Sequence, residues 1–148
     1  MAASLSIATL MVMLTVVIHF AGLIALMRLL EWRGHHLKAH ESVLGQGLLL
    51  IIVVLGLVAI HSVEIWAYAL LYFAAGAVGD FEASLYFSTV AFSSLGYGDI
   101  VLGHEWRLVS AIEAVNGLIL IGWSTAFLLS LMGKLRALEH EWLERRRD

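Results

Sequence analysis

Residues 81–100 read FEASLYFSTVAFSSLGYGDI, and the fold turns on how this stretch is placed. Its first part sets Phe81, Tyr86, Phe87 and Phe92 among small and hydroxyl-bearing residues, and it closes on Gly96 and Gly98 with Tyr97 between them. A helix rises about 1.5 Å per residue, so a bilayer crossing needs roughly 20 residues. Ten or so helical residues followed by glycines fall short of that length. They read as a re-entrant segment, which enters the membrane and leaves on the same side. Irregular backbone at membrane depth is tolerated only where it is buried in protein or lines a watery cavity. The stretch therefore predicts a pore.

The rest of the chain supplies the membrane. Of 148 residues, 61% are hydrophobic and 14% charged, and the mean hydropathy is +0.89, too apolar for an ordinary soluble domain. Residues 5–30, 48–73 and 108–133 are each long and apolar enough to span a bilayer. The first run lacks a basic region ahead of it and is longer than a signal peptide's apolar core, so it reads as a retained helix. No basic patch or motif for nucleic acid is present. Cysteine is absent, which excludes disulfides and thiolate chemistry. The seven histidines form no zinc pattern of the HExxH type, and neither a nucleophile elbow nor a phosphate loop appears. The expectation is a protein that is not an enzyme and needs no cofactor.

Charge placement sets an orientation. Arg28, Arg33 and Lys38 lie in or near the connection 31–42, no Lys or Arg occurs from residue 39 to 106, and Asp80, Glu82, Asp99 and Glu105 mark the other side. The positive-inside rule puts that connection and the tail with Lys134, Arg136 and residues 145–147 in the cytoplasm, with the N-terminus outside. Beyond the third span, Leu131, Leu135, Leu138 and Trp142 recur at four-three-four spacing. That seam fits either a short cytoplasmic bundle or an interfacial helix. Three parts follow: 1–47, a first span and loop; 48–133, a pore unit; and 134–148, a cytoplasmic helix.

Within the central stretch, residues 84–92 read as a short helix with Ser84 as its N-cap and Asp80 or Glu82 near its positive end. Its negative end then faces the pore interior, where it favours a cation. Gly96 and Gly98 permit the backbone angles that aim successive carbonyls at one axis, and rings of such carbonyls replace an ion's hydration shell. Ser94, Leu95, Gly96, Tyr97 and Gly98 are the candidate carbonyl ligands, with the Ser94 hydroxyl as a further inward oxygen. Tyr97 would brace the loop against surrounding helices, with Leu95 packed behind it.

At this point FSTVAFSSLGYGD, residues 87–99, resembles the pore helix and TxGYGD signature of the potassium channel superfamily, particularly small bacterial ion channel proteins with one pore loop per chain. The resemblance covers about residues 48–133. It implies an all-α membrane protein with three transmembrane helices and a re-entrant pore helix and filter loop, assembled as a four-fold tetramer with three further copies of itself. It also implies potassium as the permeant ion, Asp99 as the outer-mouth carboxylate and 108–133 as the inner helix. The whole chain is similar to a proteobacterial group of three-span proteins sharing HxxEIW and AIEAxNG strings, here at residues 61–66 and 111–117, which implies the cell inner membrane. Two departures stand out: Ser94 replaces the usual threonine and Leu95 the usual valine or isoleucine. Many members also carry a carboxylate in the pore helix behind the filter, where this chain has Val90. A weakly selective monovalent cation channel, a transporter-type or accessory potassium-pathway subunit, and a non-conducting membrane protein are the competing readings.

Polar residues within the spans complete the list. Glu113 and Asn116 lie one turn apart in the third span, as do His61 and Glu64 in the second. An ionisable group there faces protein or water rather than lipid. The functional reading places Glu64 and Glu113 behind or beneath the filter; the structural one makes each pair simple helix glue. Gly117 and Gly122 are candidates for close packing or hinging, with Gly122 the deeper. Phe127, Leu131 and Met132 are candidates for a ring that closes by dewetting. No span has an arginine series, which argues against a voltage sensor. His35, His36 and His40 sit in the predicted cytoplasmic loop and are candidate pH sensors or ordinary loop residues.

Overall fold

The computed structural model describes the backbone of residues 1–37 and 43–145 and the side chains of residues 1–32 and 44–133. Four helices follow in order: α1 (Ala2–Leu37), α2 (Val43–Ala74), α3 (Phe81–Phe92) and α4 (Arg107–Arg145). There is no strand among the described residues. The parts of α1, α2 and α4 able to cross a membrane are Ala2–Trp32, Leu44–Ala74 and Arg107–Gly133. These contain the three predicted spans. The short α3, at about 18 Å, cannot cross a core of about 30 Å.

Side-chain pairings fix how the spans run. His19 of α1 meets Glu64 of α2, and Gly22 faces Ile60, so these two helices are antiparallel. His61 meets Ser124 while Tyr72 meets Glu113, so α4 is antiparallel to α2. The end of α2 and the start of α4 therefore lie on one side, and α3 with its following loop fills the space between them. The chain is an all-helical membrane protein with three spans and a re-entrant segment.

Local chemistry explains the boundaries. At the end of α2, Gly76 takes φ +64, and its amide bonds Phe73 O while that of Ala77 bonds Tyr72 O. These are the two bonds of a Schellman cap, and they stop the helix before the turn into α3. The N-cap of α3 is Asp80, with extended backbone and a carboxylate that accepts from the Ala83 amide at 2.8 Å. This corrects the expectation of Ser84 as N-cap. The helix begins at Phe81, and the buried Ser84 hydroxyl donates to Asp80 O one turn back. The connection expected over 31–42 is also shorter than predicted, because α1 continues to Leu37. His35 and His36 thus lie on its last turn, while Lys38 and His40 fall outside the described residues. The seam of Leu135, Leu138 and Trp142 lies outside the described side chains.

Two apolar clusters hold the helices together. One joins Tyr68, Tyr72, Phe87, Phe92, Leu102, Val109 and Leu120 with Ala8 and Met11 of α1. The other joins Leu23, Leu26, Leu30, Leu49, Val53 and Leu57, with Phe127, Leu128 and Leu131 packed against it. Lipid is as apolar as these side chains, so association rests on packing and interhelical hydrogen bonds of about 0.6 to 2 kcal/mol each. Those bonds are concentrated in buried Thr15, His19, Glu64, Ser88, Glu113, Asn116 and Ser124.

Candidate functional site

The loop after α3 departs from regular backbone in an ordered way. Ser94, Gly96 and Gly98 have φ of 58, 57 and 75, while Leu95 and Tyr97 between them keep negative φ. In an extended strand successive carbonyls point to opposite sides. A φ that alternates in sign departs from that extended pattern at every second residue. Gly96 and Gly98 reach the left-handed region at no steric cost; Ser94 reaches it with a Cβ, at a cost of roughly 1–2 kcal/mol. The glycines were legible as such, and the serine was not.

The loop is anchored to the end of α3 through its amides. Ser94 N donates to Ala91 O at 2.9 Å, Leu95 N to Val90 O at 3.0 Å and Gly96 N to Val90 O at 3.4 Å. The inner end of the loop also touches α4, where the Ser94 hydroxyl donates to Ala114 O at 3.2 Å. Expected to face inward as an oxygen ligand, this hydroxyl directs its proton at α4 and keeps only its lone pairs for any other partner. At the far end, Tyr86 donates to Asp99 Oδ2 at 2.6 Å. That hydroxyl holds the Asp99 carboxyl below the usual carboxylate range, and the same bond pushes the Tyr86 phenol up. The C-terminal end of α3, with its negative dipole, abuts the loop at Ser93.

Leu95 and Tyr97 are 58% and 66% exposed. Within one chain neither braces the loop nor packs behind it. Beside them lies an open hollow of about 360 Å³ bordered by Tyr86, Ser94, Gly96, Gly98, Asp99 and Ala114.

Behind α3 stands Glu113, fully buried, which accepts from Ser88 of α3 at 2.6 Å and from Tyr72 of α2 at 2.6 Å. One carboxylate thus joins three helices and reaches the short helix from behind. The predicted pairing of Glu113 with Asn116 is not made. Asn116 instead donates to Thr15 of α1 at 2.7 Å and to Tyr68 at 3.4 Å. Residues three apart on a helix share a face, and here each finds a different neighbour across that face.

Glu64 sits apart from α3. It accepts from His61 at 2.8 Å, as one sequence reading had it, and also from His19 of α1 at 2.9 Å. Its link toward the loop is indirect, since the His61 ring stands 5.9 Å from that of Phe92. No clustered group of metal-ligand type was expected within the spans, yet His19, His61 and Glu64 come together. His19 gave no signal in sequence, being a lone histidine in an apolar run.

The remaining candidates divide clearly. A Cβ on Gly117 would collide with the backbone of Phe92, whereas one on Gly122 meets nothing within 4 Å. Gly117 is therefore a close-packing glycine, and Gly122 lies on an exposed face of α4. Phe127 and Leu131 pack against the Leu26 and Val53 cluster. Both remain only partly buried there.

Comparison with known proteins adds one match. The family model described as "Ion channel" aligns with residues 47–134, more than half of the chain, from the start of α2 to the membrane end of α4. Neither a curated protein nor a solved structure matches the chain.

Proposed function

The chain belongs to that ion channel family, and from this premise we propose that it is one subunit of a tetrameric potassium channel conducting passively through the backbone of Ser94, Leu95, Gly96, Tyr97 and Gly98. The observation that carries the reading is the alternation of backbone handedness at 94, 96 and 98. On this reading the strand offers a row of carbonyls to one side, and four strands about one axis would make stacked oxygen cages that replace the hydration shell of potassium. Conduction follows when neighbouring ions repel one another and offset tight binding at each cage. The Ser94 proton aimed at Ala114 agrees with an oxygen presented to a cation.

One chain supplies one wall of such a cage, so the reading requires three further copies. The exposed Leu95 and Tyr97 and the open hollow beside them support this, since they are surfaces that neighbouring copies would cover. Membrane lipids cover the outward faces of α1 and α2. Glu113 takes the supporting role that Val90 leaves vacant, approaching α3 from α4. Asp99, tied to Tyr86, forms the outer mouth. By the charge rule the N-terminus lies outside and the C-terminus in the cytoplasm of the cell's inner membrane.

Ion flux into liposomes tests this. Potassium flux that sodium does not match, and that Gly96→Asp abolishes, is the expected result. Equal flux of both ions would favour the weakly selective cation channel, for which Ser94 speaks, since it lacks the methyl that fixes a threonine rotamer. A monomeric or dimeric assembly would favour the transporter-type reading.

A further inference from the structure

We propose that His19, His61 and Glu64 form a binding site for one divalent transition-metal ion of the zinc class, set between α1 and α2 near the middle of the spans. Each residue offers a ligand atom, and the three atoms lie within 4.8 Å of one another. Ligands about 2 Å from a shared ion lie roughly 3–4 Å apart. The existing contacts of 2.9 Å and 2.8 Å from the two Nδ1 atoms to the two Glu64 oxygens therefore need only a small opening to admit an ion in place of the two bridging protons.

The donor set selects the class of ion. Two imidazoles and one carboxylate suit zinc and its neighbours, whereas magnesium and calcium prefer several oxygen ligands. A supporting contact is also present. His61 Nε2 lies 3.0 Å from the Ser124 hydroxyl of α4, a partner that fixes the ring when its other nitrogen binds metal. His19 is fully buried, and Nδ1 is its one paired nitrogen, since Nε2 has no partner. The nitrogen that meets Glu64 is the one it would offer to the ion.

The site joins the first span to the pore unit. Its His61 ring also contacts Phe92 at the end of α3, 5.9 Å between centroids. An ion there would fix α1 against α2 beside the anchor of the loop. The histidine-poor spacing of 19, 61 and 64 conceals such a site in sequence, because its ligands come from two helices.

The test uses full-length purified protein, stripped with a chelator, loaded with Zn²⁺ alone and desalted before the metal is counted. Wild type should retain about one more zinc per chain than Glu64→Gln or His19→Gln, and zinc should raise the melting temperature of wild type but not of those two variants. His104→Gln, which alters an exposed histidine, should behave as wild type. Equal retention by wild type and Glu64→Gln would place the metal on other histidines and overturn the proposal. Should the variants fail to fold, Co²⁺ added to stripped wild type still decides: the intense visible absorption of a four-coordinate ion is expected, and its absence overturns the site.

Discussion

A Cβ placed on Gly117 would stand 2.1 Å from the carbonyl oxygen of Phe92, so α4 and the end of α3 meet backbone to backbone. Phe92 is the last residue of α3, one step before the loop that carries the alternating φ values. Any side chain at 117 must push the start of that loop away from α4. Gly117→Ala should therefore cost about 1–3 kcal/mol as an overpacked site, in spite of the helix propensity that alanine adds. Gly122→Ala meets no obstacle and should leave stability within about 1 kcal/mol. Thermal unfolding of both variants checks the contrast; a Gly122→Ala protein that folds normally but loses flux would identify a hinge.

The tie between Tyr86 and Asp99 gives a pH dependence with a definite sign. The Tyr86 hydroxyl lowers the Asp99 pKa, so the contribution of this bond is present above the usual carboxylate range. It is lost as pH falls through the lowered value. Flux should therefore be steady from neutral pH down to the usual carboxylate range and decline only below it. Tyr86→Phe should move the acid limb upward toward that range, and Asp99→Asn should remove it. Flux recorded against external pH distinguishes the three proteins, and an acid limb unchanged in Tyr86→Phe would separate the limb from this contact.

Glu113 joins three helices, so its removal should reach further than a single bond. Glu113→Ala leaves the Tyr72 hydroxyl buried without an acceptor, while Ser88 keeps Ile65 O at 3.0 Å, and should cost about 1–3 kcal/mol. Ser88→Ala leaves Glu113 bonded to Tyr72 and should cost about 1 kcal/mol. If Glu113 supports the loop through α3, Ser88→Ala should alter the ratio of potassium to sodium flux more than Tyr72→Phe does. Paired melting curves and flux ratios measure both effects.

How much of this arrangement the sequence discloses depends on the kind of signal each residue carries. The three spans follow from length and apolarity, and the left-handed positions of Gly96 and Gly98 follow from a residue type that favours them. Ser94 adopts the same conformation without announcing it, because the alternation is a property of the strand and not of the side chain. Asp80 and Ser84 are both good cap formers; the choice between them is made by the Ala83 amide, which only the folded turn positions. Glu113 and Asn116 were legible as polar residues that must find partners, but their partners, Ser88 and Thr15, lie on other helices. His19 is silent for the same reason. Its meaning depends on a residue 45 positions away.

Ser94 separates strain from chemistry at the inner end of the loop. Its φ of 58 carries a cost of roughly 1–2 kcal/mol that glycine would not bear, while its hydroxyl holds the loop to Ala114. Ser94→Gly should relieve the strain and lose the hydroxyl, and Ser94→Ala should keep the strain and lose the hydroxyl. If the hydroxyl governs ion preference, both variants should show the same changed flux ratio, with Ser94→Gly melting at the higher temperature. If the backbone conformation governs it, Ser94→Gly should keep the wild-type ratio more closely than Ser94→Ala. Ser94→Thr, which adds a β-branched side chain at positive φ, should be the least stable of the three. A Thr variant more stable than wild type would show that residue 94 takes a negative φ in the assembled protein.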